Sequence, residues 1–308
     1  MRPIFVNMKS MCGQKPSITK NDNIKDSPMN KKTVISIPLI LTATILLESC
    51  TSNPFGNNEI SANQHTISGL VQVEGASPEN VYVWLEGFNK GSFTDQDGRF
   101  ELTLEAGFND KVDGILKLYF YIANYSLTTE EVAIRNGEFV FGQLSLNDRG
   151  ELKQTKFVKK FLELGTDVVP SSVTVAPNVT VNVKVTVTLQ ATADTATVVF
   201  PFAVPGLLGS IFFVNRDTGE LFPFKGLPAI TTHVEETVGT APISRSLTFE
   251  FISVNLPKGR YDVLPYLLIQ HEEIPQELKD SIASNVEGFG PNYLKIPFKR
   301  IDGRFEVK

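Results

Sequence analysis

The sequence predicts an all-β chain with two β-sandwich domains that follow a signal peptide and a flexible tether. Three observations predict it: short runs of alternating apolar and polar residues, turn residues at regular spacing between the runs, and an apolar segment that ends just before a cysteine. The expected boundaries are 1–49 for the upstream segment and signal peptide, 50–64 for the tether, 65–165 for the first domain and 171–308 for the second.

Residues 29–50 have the pattern of a secretory signal peptide. Two lysines precede the apolar run 34–47, and a small residue precedes the expected cleavage point. The apolar run is too short for a membrane span, which needs about 20 residues. Translation could start at Met1 or at Met29, and the sequence does not decide between them. The segment upstream of the signal peptide is therefore excluded from the predicted fold.

The signal ends in the letters LESC, which resemble the lipobox of bacterial lipoproteins. The resemblance implies cleavage between Ser49 and Cys50 and a lipid on Cys50, and therefore a lipid-anchored protein of the cell envelope. A plain cysteine after an ordinary signal and an uncleaved anchor are the alternatives. Thr51 and Ser52 lack the aspartate that favours inner-membrane retention in Gram-negative lipoproteins. We therefore expect the outer membrane if the source is Gram-negative.

Charge and cysteine content narrow the possible partners. The whole chain has a net charge of −5, and residues 1–49 carry +4, which leaves −9 for the mature chain. Nucleic-acid binding needs clustered Lys and Arg and is not expected. Attachment to the membrane is expected from the lipid rather than from charge. The two cysteines are Cys12 and Cys50, so no disulfide is expected in the mature chain.

The first domain is predicted as a series of short strands joined by turns. Residues 81–85 alternate, with the odd-numbered residues on one face and Tyr82 and Trp84 on the other. The apolar, aromatic run 115–123 predicts a central strand. An Asn-Gly pair at 136–137, between two short apolar runs, is the strongest hairpin signal in the chain.

Residues 67–104 contain a glycine in the first strand, then a V-x-V-x-L-x-G strand and a T-D-x-D-G-x-F corner. In these motifs the segment resembles the carboxypeptidase regulatory-like domain, a seven-stranded prealbumin-like sandwich. The resemblance implies a secreted β-sandwich module that carries no catalytic residues of its own. The matching residues are Gly69, Val81, Val83, Leu85, Gly87, Thr94, Asp95, Asp97, Gly98 and Phe100.

The second domain is predicted as an Ig-like or related sandwich with one short helix. Between 179 and 189 every odd residue is apolar and every even residue polar, which predicts a half-buried strand. The stretch 153–164 before it is expected to be a closing strand or a short helix, and a linker is expected from Gly165 to Ser172. Further expected elements are a bulge near Ile252, a strand over 259–268 interrupted by Pro265, a helix around 274–282 and a hairpin around Asp302-Gly303.

Asp95 and Asp97 are weak candidates for a metal site. A calcium loop of this kind needs further oxygen ligands and a late glutamate, whereas here a strand begins at Arg99. We therefore expect a structural turn, no metal and no cofactor. The histidines have no partner at ligand spacing, and the third is interpreted as part of a solvated turn: His65, His233 and His271.

Tyr82 and Trp84 are weak candidates for a ligand-binding platform, because Trp and Tyr suit sugar binding. The leading function is a non-catalytic module for binding or assembly in the envelope, with an envelope protein or a glycan as partner. The alternatives are a glycan-binding component of a nutrient-uptake system and a hydrolase with an interdomain site. An exposed Tyr82–Trp84 pair would favour the glycan, and two carboxylates at glycosidase separation would favour the hydrolase.

Overall fold

The computed structural model describes residues 64–308, with gaps at 89, 106–111, 177–179 and 272. The expected signal peptide, its cleavage between Ser49 and Cys50, the lipid on Cys50 and most of the tether lie outside the described residues. No helix in the described part of the chain is long and apolar enough to span a membrane.

The first half, residues 64–160, has eight strands among its described residues. The strands are β1 (Thr66–Val73), β2 (Tyr82–Leu85), β3 (Lys90–Phe93), β4 (Arg99–Thr103), β5 (Gly114–Tyr121), β6 (Thr128–Arg135), β7 (Glu138–Phe139) and β8 (Lys156–Val158). They form two sheets, with the strand orders β4-β1-β8 and β3-β2-β5-β6-β7, and β1 pairs parallel to β8 but antiparallel to β4.

Local sequence explains most of this half. The odd-numbered residues Val83 and Leu85 of β2 are fully buried in the core between the two sheets. The predicted hairpin is confirmed, because Asn136 and Gly137 connect β6 to β7 with φ angles of 51° and 76°. Such positive values suit the two-residue turns that match strand twist. The predicted central strand is also confirmed, since β5 lies in the middle of its five-stranded sheet.

The second half contains eleven strands and one α-helix among its described residues. The elements are β9 (Leu162–Val169), β10 (Ser172–Val173), β11 (Asn182–Ala191), β12 (Ala196–Pro201), β13 (Ser210–Asn215), β14 (Leu221–Lys225), β15 (His233–Val238), β16 (Ile243–Glu250), β17 (Gly259–Pro265), β18 (Leu268–Ile269), α1 (Gln276–Ile282) and β19 (Gly303–Val307). The sheets have the orders β16-β11-β9, β15-β12-β18 and β10-β19-β17-β13-β14.

The core of the second half is built around β11. Its apolar residues Val183, Val185 and Val187 are fully buried and belong to one cluster with Phe213 of β13 and Phe305 of β19. The polar residues of β11 lie on the opposite face, as the alternation predicts. The chain is therefore all-β and made of β-sandwich halves, as predicted.

Two predictions for the entry and middle of the second half are wrong. Most of the expected linker 165–172 belongs to β9, because 162–169 alternates between buried and exposed residues and pairs along its length with β11. The expected bulge near Ile252 is a 3₁₀ helix, Phe251–Ser253, which ends β16.

Of two further predictions near the end of the chain, one is confirmed in part and one is wrong. The strand expected over 259–268 is interrupted at Pro265 as predicted, but the chain leaves the five-stranded sheet there and β18 pairs with β12 instead. The expected closing hairpin is absent from the described residues. A 3₁₀ helix, Pro291–Lys295, precedes β19, which pairs antiparallel with β17 and parallel with β10.

A third core lies between the halves. It combines the outer faces of β2 and β5 with side chains from β13, α1 and the segment around the second 3₁₀ helix. These residues cluster together: Tyr82, Trp84, Tyr119, Tyr121, Phe212, Tyr266, Leu278 and Tyr293. The described residues consequently belong to one compact unit.

Candidate functional site

A cleft of about 420 Å³ opens where the two halves meet, and we call it the junction cleft. It is lined from the first half by Gly75, Ala76, Tyr125 and Lys160. From the second half it is lined by residues 163–165 of β9, by Thr188 and Gln190 of β11, and by residues 299–301. Neither half alone forms this site.

Asn124, the buried neighbour of Tyr125, ties the walls of the junction cleft together. Its Nδ2 donates to the carbonyl oxygens of Leu162 (3.0 Å) and Lys299 (2.8 Å). Its Oδ1 accepts from the backbone N–H of Lys299 at 3.1 Å. Because buried polar groups require hydrogen-bond partners, this side chain fixes the loop after β5 against two segments of the second half.

Two of the basic side chains in the junction cleft have carboxylate partners. Lys160 Nζ lies 3.2 Å from Glu163 Oε1. Arg300 Nε lies 2.9 Å from Asp302 Oδ1, and its guanidinium lies 4.8 Å from the ring centre of Phe298. Arg300 is therefore largely satisfied by its own segment of the chain.

Lys299 is the exception among the basic residues of the junction cleft. It forms no ion pair with any of the described residues, and its Nζ donates to the backbone carbonyl of Glu79. Burial lowers the pKa of Lys299, against an opposing effect of the nearby Glu79. The fold thus holds a half-buried amine beside a neutral acceptor.

The junction cleft is suited to binding rather than to proton transfer by a carboxylate pair. Burial raises the pKa of Tyr125 to about 12, so the phenol stays protonated at neutral pH and donates to the carbonyl of Glu74 at 2.8 Å. Glu163 is the single carboxylate among the described residues that line the cleft. The paired carboxylates by which a glycosidase would be recognised are not found among them.

The Tyr82–Trp84 pair does not form an exposed platform. The two side chains are only 4% and 2% exposed, because their face of β2 packs against the second half. Tyr82 Oη lies 2.9 Å from Ser281 Oγ of α1. The indole N–H of Trp84 has no hydrogen-bond partner within the described chain. Trp84 also lines a hollow of about 530 Å³ whose other described walls are Glu86, Gly87, Pro275, Glu277 and Asp280.

The Asp95–Gly98 corner is a turn between β3 and β4, as predicted. Asp95 Oδ1 accepts hydrogen bonds from the backbone N–H groups of Asp97 (3.0 Å) and Arg99 (2.8 Å). The hydrogen bonds that this carboxylate oxygen accepts are thus made within the turn. No cluster of metal-binding side chains occurs in the part of the chain that the structure describes. The metal-free character of Asp95 and Asp97 stays a prediction.

His271 is not part of a solvated turn, because it lies between the two halves. Its Nε2 lies 2.6 Å from the carbonyl oxygen of Ala123, and its ring packs edge-on against Phe161 at 5.0 Å. Burial lowers the pKa of His271. The other histidines lie elsewhere: His65 is 3.3 Å from Glu138, and His233 is exposed on β15.

Sequence reasoning did not find the residues that line the junction cleft or Asn124, which anchors one of its walls. Asn124, Lys160 and Lys299 are far apart along the chain and belong to no motif. The one available signal was Asn124, a polar residue directly after the apolar run 115–123. A polar side chain in such a place needs a buried partner, but the sequence does not show which segment supplies it.

By its fold and cleft, this chain is an all-β protein of two joined β-sandwich halves. No protein-family model and no curated protein matches the sequence. Among solved structures it is similar to an N-terminal interface mutant of a type II cohesin–X-dockerin complex from Acetivibrio cellulolyticus. That match has 20% identity and a TM-score of 0.21, and covers 31% of this chain and 58% of that chain.

The chain is also similar to the major pilin subunit of Bacillus cereus. That match has 11% identity and a TM-score of 0.25, and covers 65% of this chain and 64% of that chain. The chain therefore spans about three-fifths of the length of each structure. Both TM-scores are too low to support an argument about fold or function.

Proposed function

We propose that this protein is a lipid-anchored module of the bacterial cell envelope that binds a ligand in the junction cleft without transforming it. The lipobox-like end of the signal supports cleavage after Ser49 and acylation of Cys50. In a Gram-negative source the protein would reside in the outer membrane. The polar tether of about 14 residues would let the folded part extend up to about 45–50 Å from the membrane.

The observation that carries the proposal is the construction of the cleft from both halves. Polar and charged groups of separate segments converge in one concavity, and Asn124 fixes its walls. A preformed concavity with a few convergent polar groups is the usual form of a ligand site. Within this proposal the first half is a carboxypeptidase regulatory-like module that serves as scaffold, which its two facing sheets support.

The proposal is tested by filling the cleft. A Cβ added at Gly165 would meet no atom within 4 Å, so Gly165→Phe places a bulky ring in the cleft at little cost to the strand. Gly239 offers the same open space outside the cleft lining, and Gly239→Phe is the matched control. Each variant of the mature chain is titrated with a panel of neutral and acidic oligosaccharides. The mass of each saccharide is measured by mass spectrometry before and after incubation, which detects any cleavage.

We expect at least one saccharide to bind the parent chain and Gly239→Phe but not Gly165→Phe. The mass of this saccharide should be unchanged after incubation with the protein. Equal binding by both variants would place the ligand elsewhere, and cleavage of a saccharide would show an enzyme.

For the anchor, Cys50→Ser should shift the protein out of the membrane fraction. An unmodified Cys50 in the mature, membrane-bound protein would contradict acylation.

The glycan-binding component of a nutrient-uptake system is the second candidate. It is favoured by Thr188 and Gln190, which line the junction cleft from the polar face of β11. Thr188 Oγ1 lies 3.1 Å from Ser244 Oγ, and Gln190 Nε2 donates to the carbonyl of Thr240, so the second bonding position of the hydroxyl and the amide oxygen of Gln190 are what remains for a ligand. Such groups match the hydrogen-bonding pattern of sugars. This alternative shares the anchor and the cleft with the leading proposal, and differs in fixing the ligand class.

A further inference from the structure

Two loops of the second half carry no charged residue. The first comprises residues 202–209, between β12 and β13, and the second comprises residues 226–232, between β14 and β15. Charged residues make up 20% of the whole chain. Both loops are instead rich in proline, glycine and aliphatic residues.

Each loop contains a tight turn of the same form, an aliphatic residue on either side of a proline and a small residue. In residues 204–207 (VPGL), the N–H of Leu207 donates to the carbonyl of Val204 at 3.1 Å. In residues 227–230 (LPAI), the N–H of Ile230 donates to the carbonyl of Leu227 at 3.0 Å. Proline at the second position presets the backbone of such turns. We call residues 204–207 and 227–230 the twin turns.

The twin turns lie side by side, because backbone hydrogen bonds join their loops at both ends. The N–H of Phe202 donates to the carbonyl of Thr232 at 2.8 Å, and the N–H of Gly226 donates to the carbonyl of Gly209 at 3.0 Å. At the base of the loops, the ring centre of Phe202 lies 5.6 Å from that of Phe289. The two turns therefore form one fixed surface.

This surface presents apolar side chains to solvent. Leu207 is 44% exposed, and Pro205, Pro228 and Ala229 are exposed as well. A contiguous exposed apolar patch marks a contact with a protein or with a membrane.

A protein partner would need more than the twin turns provide. A stable protein interface has about 20–30 residues a side, with aromatic or arginine anchors and with charges that set its register. The twin turns have eight residues, and all of them are aliphatic, proline or glycine. A bilayer requires no such anchors, because apolar side chains are stabilised wherever they enter the boundary between headgroups and acyl chains.

The proposed anchor places a bilayer within reach of the twin turns. The tether between Cys50 and the first strand spans at most about 45–50 Å. The bilayer is therefore present at high effective concentration, and a weak contact is enough to be occupied. Lys225, directly before the second loop, has its amine 3.5 Å from the ring centre of Phe202. Its position suits a lysine whose stem follows an apolar surface while its amine stays at the headgroups.

We propose that the twin turns insert into the lipid bilayer to which Cys50 anchors the chain, as a second point of attachment. Two attachment points hold the folded part in one orientation and present the junction cleft in a fixed direction relative to the membrane. This inference rests on the anchor of the proposed function and is independent of the ligand that the cleft binds.

The test supplies the anchor chemically. Cys50 is the single cysteine of the chain 50–308, and its thiol is coupled to a maleimide lipid in phosphatidylcholine vesicles whose acyl chains carry bromine. Bromine quenches indole fluorescence only on contact. Leu207→Trp places an indole in the first turn, and Ile252→Trp, at a position that is 74% exposed and outside the twin turns, is the matched control. The native Trp84 is 2% exposed and gives the background.

We expect the bromine to quench the fluorescence of Leu207→Trp but not that of Ile252→Trp or of the parent chain. Quenching should persist as salt is raised, because the contact is apolar rather than ionic. Adding Ala229→Asp, in the second turn, to Leu207→Trp should abolish most of the quenching, since a charge then opposes insertion. Adding Ile252→Asp instead should leave it unchanged. Circular dichroism establishes that each variant is folded, and Ala229→Trp carries the label if Leu207→Trp is not.

Three results would overturn the inference. Equal quenching of Leu207→Trp and Ile252→Trp would show that the vesicle is touched without preference for the twin turns. Absence of quenching in Leu207→Trp would show that the turns stay out of the bilayer. A blue shift of Leu207→Trp that grows with protein concentration in the absence of vesicles would show that a second copy covers the turns. Because acylation of Cys50 is measured separately by mass spectrometry of the mature protein, failure of the anchor is distinguishable from failure of the insertion.

Discussion

Single polar side chains hold the two halves of this molecule together. Asn124 uses both ends of its amide to bond the backbone of Leu162 and Lys299. His271 bonds the carbonyl of Ala123 and fills the space beside Phe161. These two residues lie in neighbouring positions on the same junction, and each one makes a separate, testable contribution to stability.

Asn124→Ala should lower the free energy of unfolding by about 3 kcal/mol, because a buried group left without its partner costs about 1–3 kcal/mol and Asn124 serves several. Urea denaturation of the mature chain measures the change. Asn292→Ala is the control, since Asn292 makes one exposed hydrogen bond, to the carbonyl of Ser284, and should cost about 1 kcal/mol or less. Similar losses in both variants would show that Asn124 is no special anchor.

His271 should make stability depend on pH. Burial lowers its pKa from the ordinary 6.5, the hydrogen bond to the carbonyl of Ala123 and the nearby Glu287 oppose this lowering, and Lys279 adds to it. Because the unfolded chain then binds the extra proton at higher pH than the folded one, stability is full above about pH 6.5 and falls as the pH drops below it.

His271→Gln should therefore flatten the dependence of unfolding free energy on pH between about 7.5 and 5.5. Denaturation curves at several pH values measure this slope. His233→Gln, at an exposed position, should keep the slope of the parent chain. An unchanged slope in His271→Gln would show that this histidine is not the titrating group.

At the scale of elements, the β3–β4 turn illustrates a position that only glycine fills. Gly98 has a φ of +80°, and a Cβ there would lie 2.2 Å from the carbonyl oxygen of Val71. Gly206 has a similar φ of +84° but open space around it. Gly98→Ala should therefore cost clearly more than the about 1–2 kcal/mol expected from backbone strain alone in Gly206→Ala.

Thermal or urea unfolding of the two glycine variants separates the clash from the strain. Equal destabilisation would mean that the turn moves away from β1 freely, and that the contact with Val71 contributes nothing. The comparison also bears on the T-D-x-D-G-x-F corner, because Gly98 is one of the residues on which the family resemblance depends.

Elements determined by local chemistry were predictable from the sequence, and elements determined by distant pairing were not. The alternation in β11 and the Asn136-Gly137 turn each carry their own signal. By contrast, the sequence predicts a linker over the larger part of β9, from Gly165 onward, because the strand character of this segment depends on pairing with β11. The sequence predicts the interruption at Pro265 but not the change of sheet, because only the partner strands, β13 before it and β12 after it, decide where the chain changes sheets.

The candidate site was less predictable than the fold, for the same physical reason. Lys160 and Lys299 have ordinary sequence surroundings, and they become notable only when folding brings them to one cleft. Tyr82 and Trp84 were noticed for their chemistry, yet they are buried because the second half covers their face of β2. Residue type alone does not show which face another part of the chain will cover.

At the scale of the whole molecule, the division into two domains stays a prediction, with a revised boundary. The core of the first half lies entirely within residues 67–158, and that of the second half begins at Leu162. A fragment 64–160 should therefore show β circular dichroism and a cooperative melt. It should also bind a hydrophobic dye, because Tyr82 and Trp84 lose their cover. An unfolded fragment would show that the first half depends on the second.

The central claim is that the two halves are docked rigidly and so form a preformed cleft. The most direct measurement is the distance distribution between spin labels across the junction. Because residues 51–308 contain no cysteine, Gln72→Cys in β1 and Lys184→Cys in β11, both exposed, can be labelled specifically in a Cys50→Ser background. Pulsed electron paramagnetic resonance should give one narrow distance distribution, and addition of ligand should not shift it. A broad or divided distribution would contradict the account, because the halves would then move independently and the cleft would not be a fixed site.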